Sequence, residues 1–315
     1  MKQPPTEQAG CFRLVYSPPG RYVNDHCFIE DAGGTLHLFH IVGPVGKRCY
    51  DEGAEVSFGH ATSNNLESWT AQADVLAVDG KSEHERDHIF APFAHPVGDD
   101  FSMLYAGVNQ KMKKEFMCLA RSKDLFHWRK DPRNPVFRPS SRWAEDGGTQ
   151  DLWSCCRDPH LLEHPRYGYI LYFVAWVKET NGKRVAIGAA TSNDLVSWKD
   201  VGPVLVRDAA FGHSTVSMES PCVIERQGRY FLFYKHRDET RLVISDDPLN
   251  FNDRQDTWFS IAHAAEIFPF RGNWFISSCS REPSDIRHEQ SDRTKGLFLA
   301  SLEWSQDTPE IKSIL

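Results

Sequence analysis

Three acids far apart in the chain share one local setting. Asp25 in Asn24-Asp25-His26, Asp158 in Arg157-Asp158-Pro159-His160 and Glu219 in Met218-Glu219-Ser220-Pro221-Cys222 each head a short strand. Each strand then passes through a polar or glycine-containing turn into a second, aromatic-rich strand. Carboxylates gathered in one cleft raise one another's pKa, and hydrolysis of a glycosidic bond needs such a set. One serves as nucleophile or water-activating base, and another is kept protonated as the acid. A lone Asp25 would read as a turn residue; the recurrence of its setting makes the chemical reading the stronger one.

The elements that must position these acids are repeats. The hairpin of residues 24–40, NDHCFIEDAGGTLHLFH, has four relatives: IFAPFAHPVGDDFSMLYAGV, DPHLLEHPRYGYILYFVAW, SPCVIERQGRYFLFYKH and AAEIFPFRGNWFISSCS. A second element follows at a similar offset, in GHATSNNLESW to Trp69, CLARSKDLFHW to Trp128, IGAATSNDLVSW to Trp198 and a degenerate LVISDDPLNF to Phe251. Each is a strand, a polar Ser-x-Asp/Asn turn and an aromatic sized to plug the space between sheets. Five copies at a period of roughly 60 residues predict an all-β fold, a five-bladed β-propeller with four-stranded blades. It occupies 1–315 as a single domain, with blades beginning near residues 22, 86, 155, 216 and 262. In a propeller the innermost strand of each blade lines the central channel, so the strand heads face one funnel. At that position the blades offer Asp25, the apolar run Ile89-Phe90-Ala91-Pro92, Asp158, Glu219, and His263-Ala264-Ala265-Glu266.

Around the acids, Asn24, His26, Arg157, His263 and Glu266 are candidate contacts to sugar hydroxyls, with Arg157 also placed to tune a carboxylate. Phe90 and Trp153 are candidate stacking surfaces, whereas Trp69, Trp128 and Trp198 read as packing plugs. Histidines His26, His160, His213, His236, His263 and His288 are spread over the repeats, and Cys27, Cys155, Cys156 and Cys222 read as small buried fillers beside the acids. The loop from Arg129 to Asp151, rich in Pro, Gly and charge, is placed to rim a site.

A formal net charge of −7 excludes the basic footprint that nucleic acid or an anionic membrane surface would need, and favours a neutral partner such as an oligosaccharide or glycoside. No apolar window reaches membrane-spanning length, and the first residues lack a signal-peptide core. The eight cysteines form no CxxC pair or regular framework, so reduced thiols and a cytoplasmic location are the expectation.

NDH, RDPH and MESPC, in that order on blades one, three and four, together with HIFAPF and TSNDLVSW, resemble the signature of the furanosidase-type propellers of glycoside hydrolase families 43 and 32. The resemblance runs from about Tyr22 to Leu299. It implies that Asp25 is the nucleophile of a retaining enzyme or the water-activating base of an inverting one. It further implies that Asp158 stabilises the transition state and that Glu219 is the general acid. It implies a hydrolase of a furanoside or related glycoside, arabinofuranosidase- or xylosidase-like, with no cofactor required. A structural cation such as calcium in the central channel, near His263, is part of the same expectation. Family 32 members usually carry Asn-Asp-Pro-Asn-Gly on blade one and Glu-Cys on blade four, and this chain departs at His26-Cys27 and Ser220-Pro221. The alternatives are a fructofuranosidase or fructosyltransferase of family 32 type, a phosphorylase on the same fold, and a carbohydrate-binding propeller without catalysis.

Overall fold

Each recurring hairpin pairs as an antiparallel ladder and recruits further strands, giving five sheets in the computed structural model. The structure describes residues 8–146, 153–209, 218–237, 239–280, 296–305 and 308–314. The innermost strands are Arg21–Glu30, His88–Val97, Arg157–His164, Met218–Arg226 and Ile267–Phe270. Neighbouring ones among them touch, as the walls of a shared channel must. The fold is thus an all-β, five-bladed propeller of four-stranded sheets, two of which carry a short extra edge strand.

Ring closure uses both ends of the chain. The strand Leu297–Ser305 of blade five pairs along its first half with Arg13–Tyr16 and along its second with Thr308–Lys312. Burying that edge removes the open ladder that a five-sheet ring would otherwise expose.

The core among the described residues has five large apolar clusters, one in each gap between adjacent blades, and a small sixth of Val23, Ala264 and Cys279. The aromatic that ends each repeat packs onto the preceding blade. Trp128 lies in the gap between blades two and one, Trp198 between three and two, Phe251 between four and three, and Trp69 between one and five. Trp304 fills the remaining gap between blades five and four. Three of these indoles donate Nε1–H to the carbonyl three residues earlier, at Leu66 (3.1 Å), Leu125 (3.1 Å) and Leu195 (3.0 Å). That bond satisfies the one polar atom of a ring otherwise placed in an apolar gap.

One irregularity of the inner strands decides where the acids point. The ladder register slips by one residue between Val23 and His26, Phe90 and Phe93, Arg157 and His160, and Glu219 and Cys222. In blade five, Cys279 N–H bonds His263 O and Ser277 N–H bonds Glu266 O, which sets the same three-against-two count. Every blade therefore carries a β-bulge at its inner strand head, a device that re-aims side chains. Its first residue is left-handed in Ala91 (φ +48°), Asp158 (+54°), Ser220 (+51°) and Ala264 (+49°), and its second is Pro92, Pro159 and Pro221 in blades two to four. The acids do not share one repeat position, contrary to expectation. Glu219 stands just before its bulge, Asp158 is the first bulge residue and Asp25 the second.

Candidate active site

The bulges of all five blades meet around a single concavity of about 260 Å³ lined by Asp25, His26, Asp158, Ser220, Glu266 and the small or apolar bulge residues Ala91, Pro92, Pro159, Pro221 and Ala264. Proline has no N–H to offer and alanine no side-chain donor or acceptor. Polar contacts to anything seated there must come from the acids, His26 and Ser220.

Ser220 ties two acids together. Its N–H donates to Asp158 Oδ2 at 3.0 Å and its hydroxyl to Asp25 Oδ1 at 3.0 Å. The third acid, Glu219, is doubly paired: Lys235 Nζ donates to Oε2 at 2.6 Å and Arg157 Nη2 to Oε1 at 3.0 Å. Lys235 faces Glu219 directly across the blade-four hairpin and is 2% exposed. Arg157 reaches further, donating to Glu115 Oε1 at 3.3 Å and lying 3.7 Å from Asp158 Oδ1. Glu115 is wholly buried at the start of the third strand of blade two, and Cys156 N–H donates to its other oxygen. Arg157 therefore joins three acidic groups, Glu115, Asp158 and Glu219, from behind the concavity wall rather than from the wall itself.

The acids are held in different protonation states. Burial raises Asp158 to about 8, with the Asp25 and Glu219 charges adding to it against the pull of Arg157. Burial and then the Glu219 charge raise Asp25 as well. Burial also pushes Glu219 up, but Lys235 and Arg157 outweigh it and hold this carboxyl below its ordinary range. Environments that drive neighbouring carboxyls apart in this way mark acid/base machinery. The two aspartates are thus pushed toward the protonated form and Glu219 toward the carboxylate.

The other expected residues divide into two groups. His26 and Glu266 line the concavity with the aspartates. His26 is neutral, since burial lowers it to about 3, and its ring nitrogens meet Asn24 O (3.2 Å) and Ser277 Oγ (2.7 Å). Asn24 turns away from the concavity toward Glu55 and Cys279. Phe90 and Trp153 sit together around Tyr50, with ring centroids 5.7 and 5.1 Å from it, as an aromatic cluster apart from the concavity lining. His263 stands just before the blade-five bulge, its N–H bonded to Ser278 Oγ. His213, His288 and residues 147–151 of the expected rim loop lie outside the described residues, and His236 bonds Asp208 O on the outer side of blade four.

Four contributors escaped the sequence reading: Ser220, Lys235, Glu115 and Tyr50. Lys235 carried a visible signal, a lysine inside the apolar strand RYFLFYKH at the position opposite Glu219. None of the eight cysteines, all of which are among the described residues, is in a disulfide. Among the described residues no helix is long and apolar enough to cross a membrane.

Comparison with known proteins agrees with this architecture. Residues 16–168 match the model of the glycosyl hydrolases family 32 N-terminal domain. A search of curated proteins finds no match. Among solved structures, the family 32 β-fructofuranosidase of Bombyx mori superposes with a TM-score of 0.72 at 20% identity, over 96% of this chain and 65% of that one. A fructan 1-exohydrolase IIa variant from Cichorium intybus, solved with 1-kestose, gives 0.70 at 18% identity, over 100% of this chain and 61% of that one. A thermostable family 43 glycoside hydrolase gives 0.67 at 16% identity, over 95% of this chain and 96% of that one. The chain thus spans less than two thirds of these family 32 chains and nearly all of the family 43 chain, and at such identities the likeness is one of fold. The family 32 domain match covers just under half of the chain, from blade one into the start of blade three, and the whole chain shares the five-bladed β-propeller fold of these family 32 and family 43 structures.

Proposed function

We propose that the protein hydrolyses a furanoside or a related glycoside, with Asp25 as nucleophile or water-activating base, Glu219 as general acid and Asp158 as the group that orients sugar hydroxyls and stabilises the oxocarbenium-like transition state. The observation that carries this reading is that Asp25 and Asp158 line one small concavity and are tied together by Ser220, while Glu219, the residue before Ser220, is paired to Arg157 and Lys235 behind them and is pushed the opposite way in pKa. The concavity is narrow and ringed by one bulge from each blade, which suits one sugar ring at the chain end of its substrate. Asp158, protonated up to about pH 8, can donate to a sugar oxygen as well as accept from a hydroxyl.

The catalytic form needs the proton on Glu219 and the charge on Asp25, the reverse of the resting distribution. Lys235 is the group that holds Glu219 ionised, so its removal changes the balance. Lys235→Met is expected to raise the Glu219 pKa and move the alkaline limb of the kcat/KM profile upward by about 1–3 pH units, as for a carboxylate losing a close cation. A limb that stays in place would remove Glu219 from the role of acid.

The family 32 match over residues 16–168 favours a second reading, a fructofuranosidase or fructosyltransferase, and the Cichorium intybus neighbour holds 1-kestose. The test is a screen of the purified protein against aryl α-L-arabinofuranoside, β-D-xyloside, β-D-fructofuranoside and sucrose, with Asp25→Asn in parallel. Turnover of one glycoside that vanishes in the variant supports the assignment and names the sugar. Turnover of none, with calorimetric binding of an oligosaccharide, replaces it with the binding-propeller reading.

A further inference from the structure

The position that follows the bulge repeats around the axis as well, and it is occupied by His26, Phe93, His160, Cys222 and Glu266 on blades one to five. Four of these five are metal-ligating types, and those of blades three, four and five draw together. One donor atom from each of His160, Cys222 and Glu266 lies within 4.8 Å of the other two. His26 is a fourth ligating type, but both its ring nitrogens are already engaged, and Phe93 offers no donor.

The surroundings of the three are those of ligands. The Nε2 of His160 faces the carbonyl of Val223 at 3.0 Å, which fixes the proton on Nε2 and leaves the lone pair on Nδ1. That Nδ1 is buried with no hydrogen-bond partner, in a residue only 5% exposed. A buried acceptor left without a donor costs free energy unless something electropositive meets it. Phe93 packs on the ring at 4.5 Å and holds its plane. Cys222 Sγ accepts from Ile267 N–H at 3.4 Å and faces Ile267 O at 4.0 Å, which fixes the direction of its side chain.

We propose that His160 Nδ1, Cys222 Sγ and the Glu266 carboxylate form an axial site for one zinc-class divalent cation. The donor set decides the class of metal. Calcium takes six to eight oxygens, and the nitrogen, sulfur and single carboxylate gathered here do not fit it. Borderline-soft zinc takes this mixture in a tetrahedron with bonds of about 2.0–2.3 Å and a fourth position open, so the donors need to close in by only about 1 Å. Glu266 also lines the substrate concavity, which connects the site to solvent and gives the ion a way in. The proposed ion differs in class and in ligands from a calcium near His263.

The experiment is a Co²⁺ and Zn²⁺ titration of the metal-stripped full chain, read by absorption and by melting temperature rather than turnover, so its outcome is independent of the hydrolase assignment. One equivalent of Co²⁺ is expected to produce a thiolate-to-cobalt charge-transfer band that Zn²⁺ bleaches and Ca²⁺ does not. Zn²⁺ is expected to raise the melting temperature. Cys222→Ser should abolish the band, and His160→Gln should weaken Zn²⁺ binding about 100-fold. Cys155→Ser, a buried thiol outside the cluster, should keep both. Absence of the band in the wild-type chain, or a band that survives in folded Cys222→Ser, overturns the site.

Discussion

Asp25→Asn is expected to fold as well as the wild type or better while losing on the order of 10⁴-fold or more in kcat/KM, the scale seen when one member of a catalytic constellation is removed. The two halves of this result have one cause. Burial and the neighbouring Glu219 charge raise the Asp25 pKa above its unfolded value. Its contribution to stability is therefore full below the ordinary carboxyl pKa and is lost as pH rises through the folded value. An amide carries no charge to lose and still accepts the hydroxyl of Ser220, now at 3.0 Å from Oδ1. The melting temperature of the variant should match the wild type at low pH and exceed it near neutrality. Activity cannot survive the same change, because an amide neither attacks the anomeric carbon nor takes a proton from water. The configuration of the first-formed product of the wild-type enzyme, read by NMR before mutarotation, separates the two roles: retention identifies Asp25 as a nucleophile and inversion identifies it as the water-activating base. Near-wild-type turnover by Asp25→Asn would sink the assignment.

Much of this arrangement could be read from the chain itself, and the reasons are physical. A propeller repeats one problem five times, namely an inner strand that must face the axis and an aromatic that must fill a wedge between twisted sheets. Trp69, Trp128, Trp198 and Phe251 therefore recur at one offset and stand out. Trp304 was harder to see because blade five is completed by residues 13–16 from the other end of the chain, which breaks the repeat. The bulge was legible only in part. Aligning Pro92, Pro159 and Pro221 puts Ala91, Asp158 and Ser220 in one column, and Glu219 then falls one place earlier. Treating the acids as equivalent missed that they approach the axis from three successive backbone positions. Side-chain partners such as Glu115 and Ser220 were not legible, because their roles depend on which strands the register slip brings together. Fillers by composition, Cys222 and His160 acquire a different meaning only once the bulge aligns them with Glu266.

The residue on which both fold and site depend most is Arg157. Its guanidinium, 5% exposed as a residue, holds Glu115 at 3.3 Å and Glu219 at 3.0 Å and approaches Asp158. Arg157→Leu leaves Glu115 wholly buried with only neutral partners, the Cys156 N–H and the Cys155 thiol, among these groups. Breaking one side of a buried ion pair typically costs about 3–5 kcal/mol, because the surviving charge keeps its desolvation penalty without its counter-ion. Burial already raises the Glu115 pKa against the pull of Arg157, and without the arginine it rises further. A raised folded pKa means that stability is retained below the unfolded value, about 4.3, and lost as pH increases through the folded value. The deficit of Arg157→Leu, measured by urea unfolding, should therefore be smallest near pH 4 and widen toward pH 8. Adding Glu115→Gln removes the stranded charge and should recover most of the loss, giving a large coupling energy in the double-mutant cycle. Activity should not return with stability, because Glu219 and Asp158 still lack the cation that orients them. A single variant within about 1 kcal/mol of wild type, or a double variant no more stable than the single, would mean that Arg157 does not anchor this network.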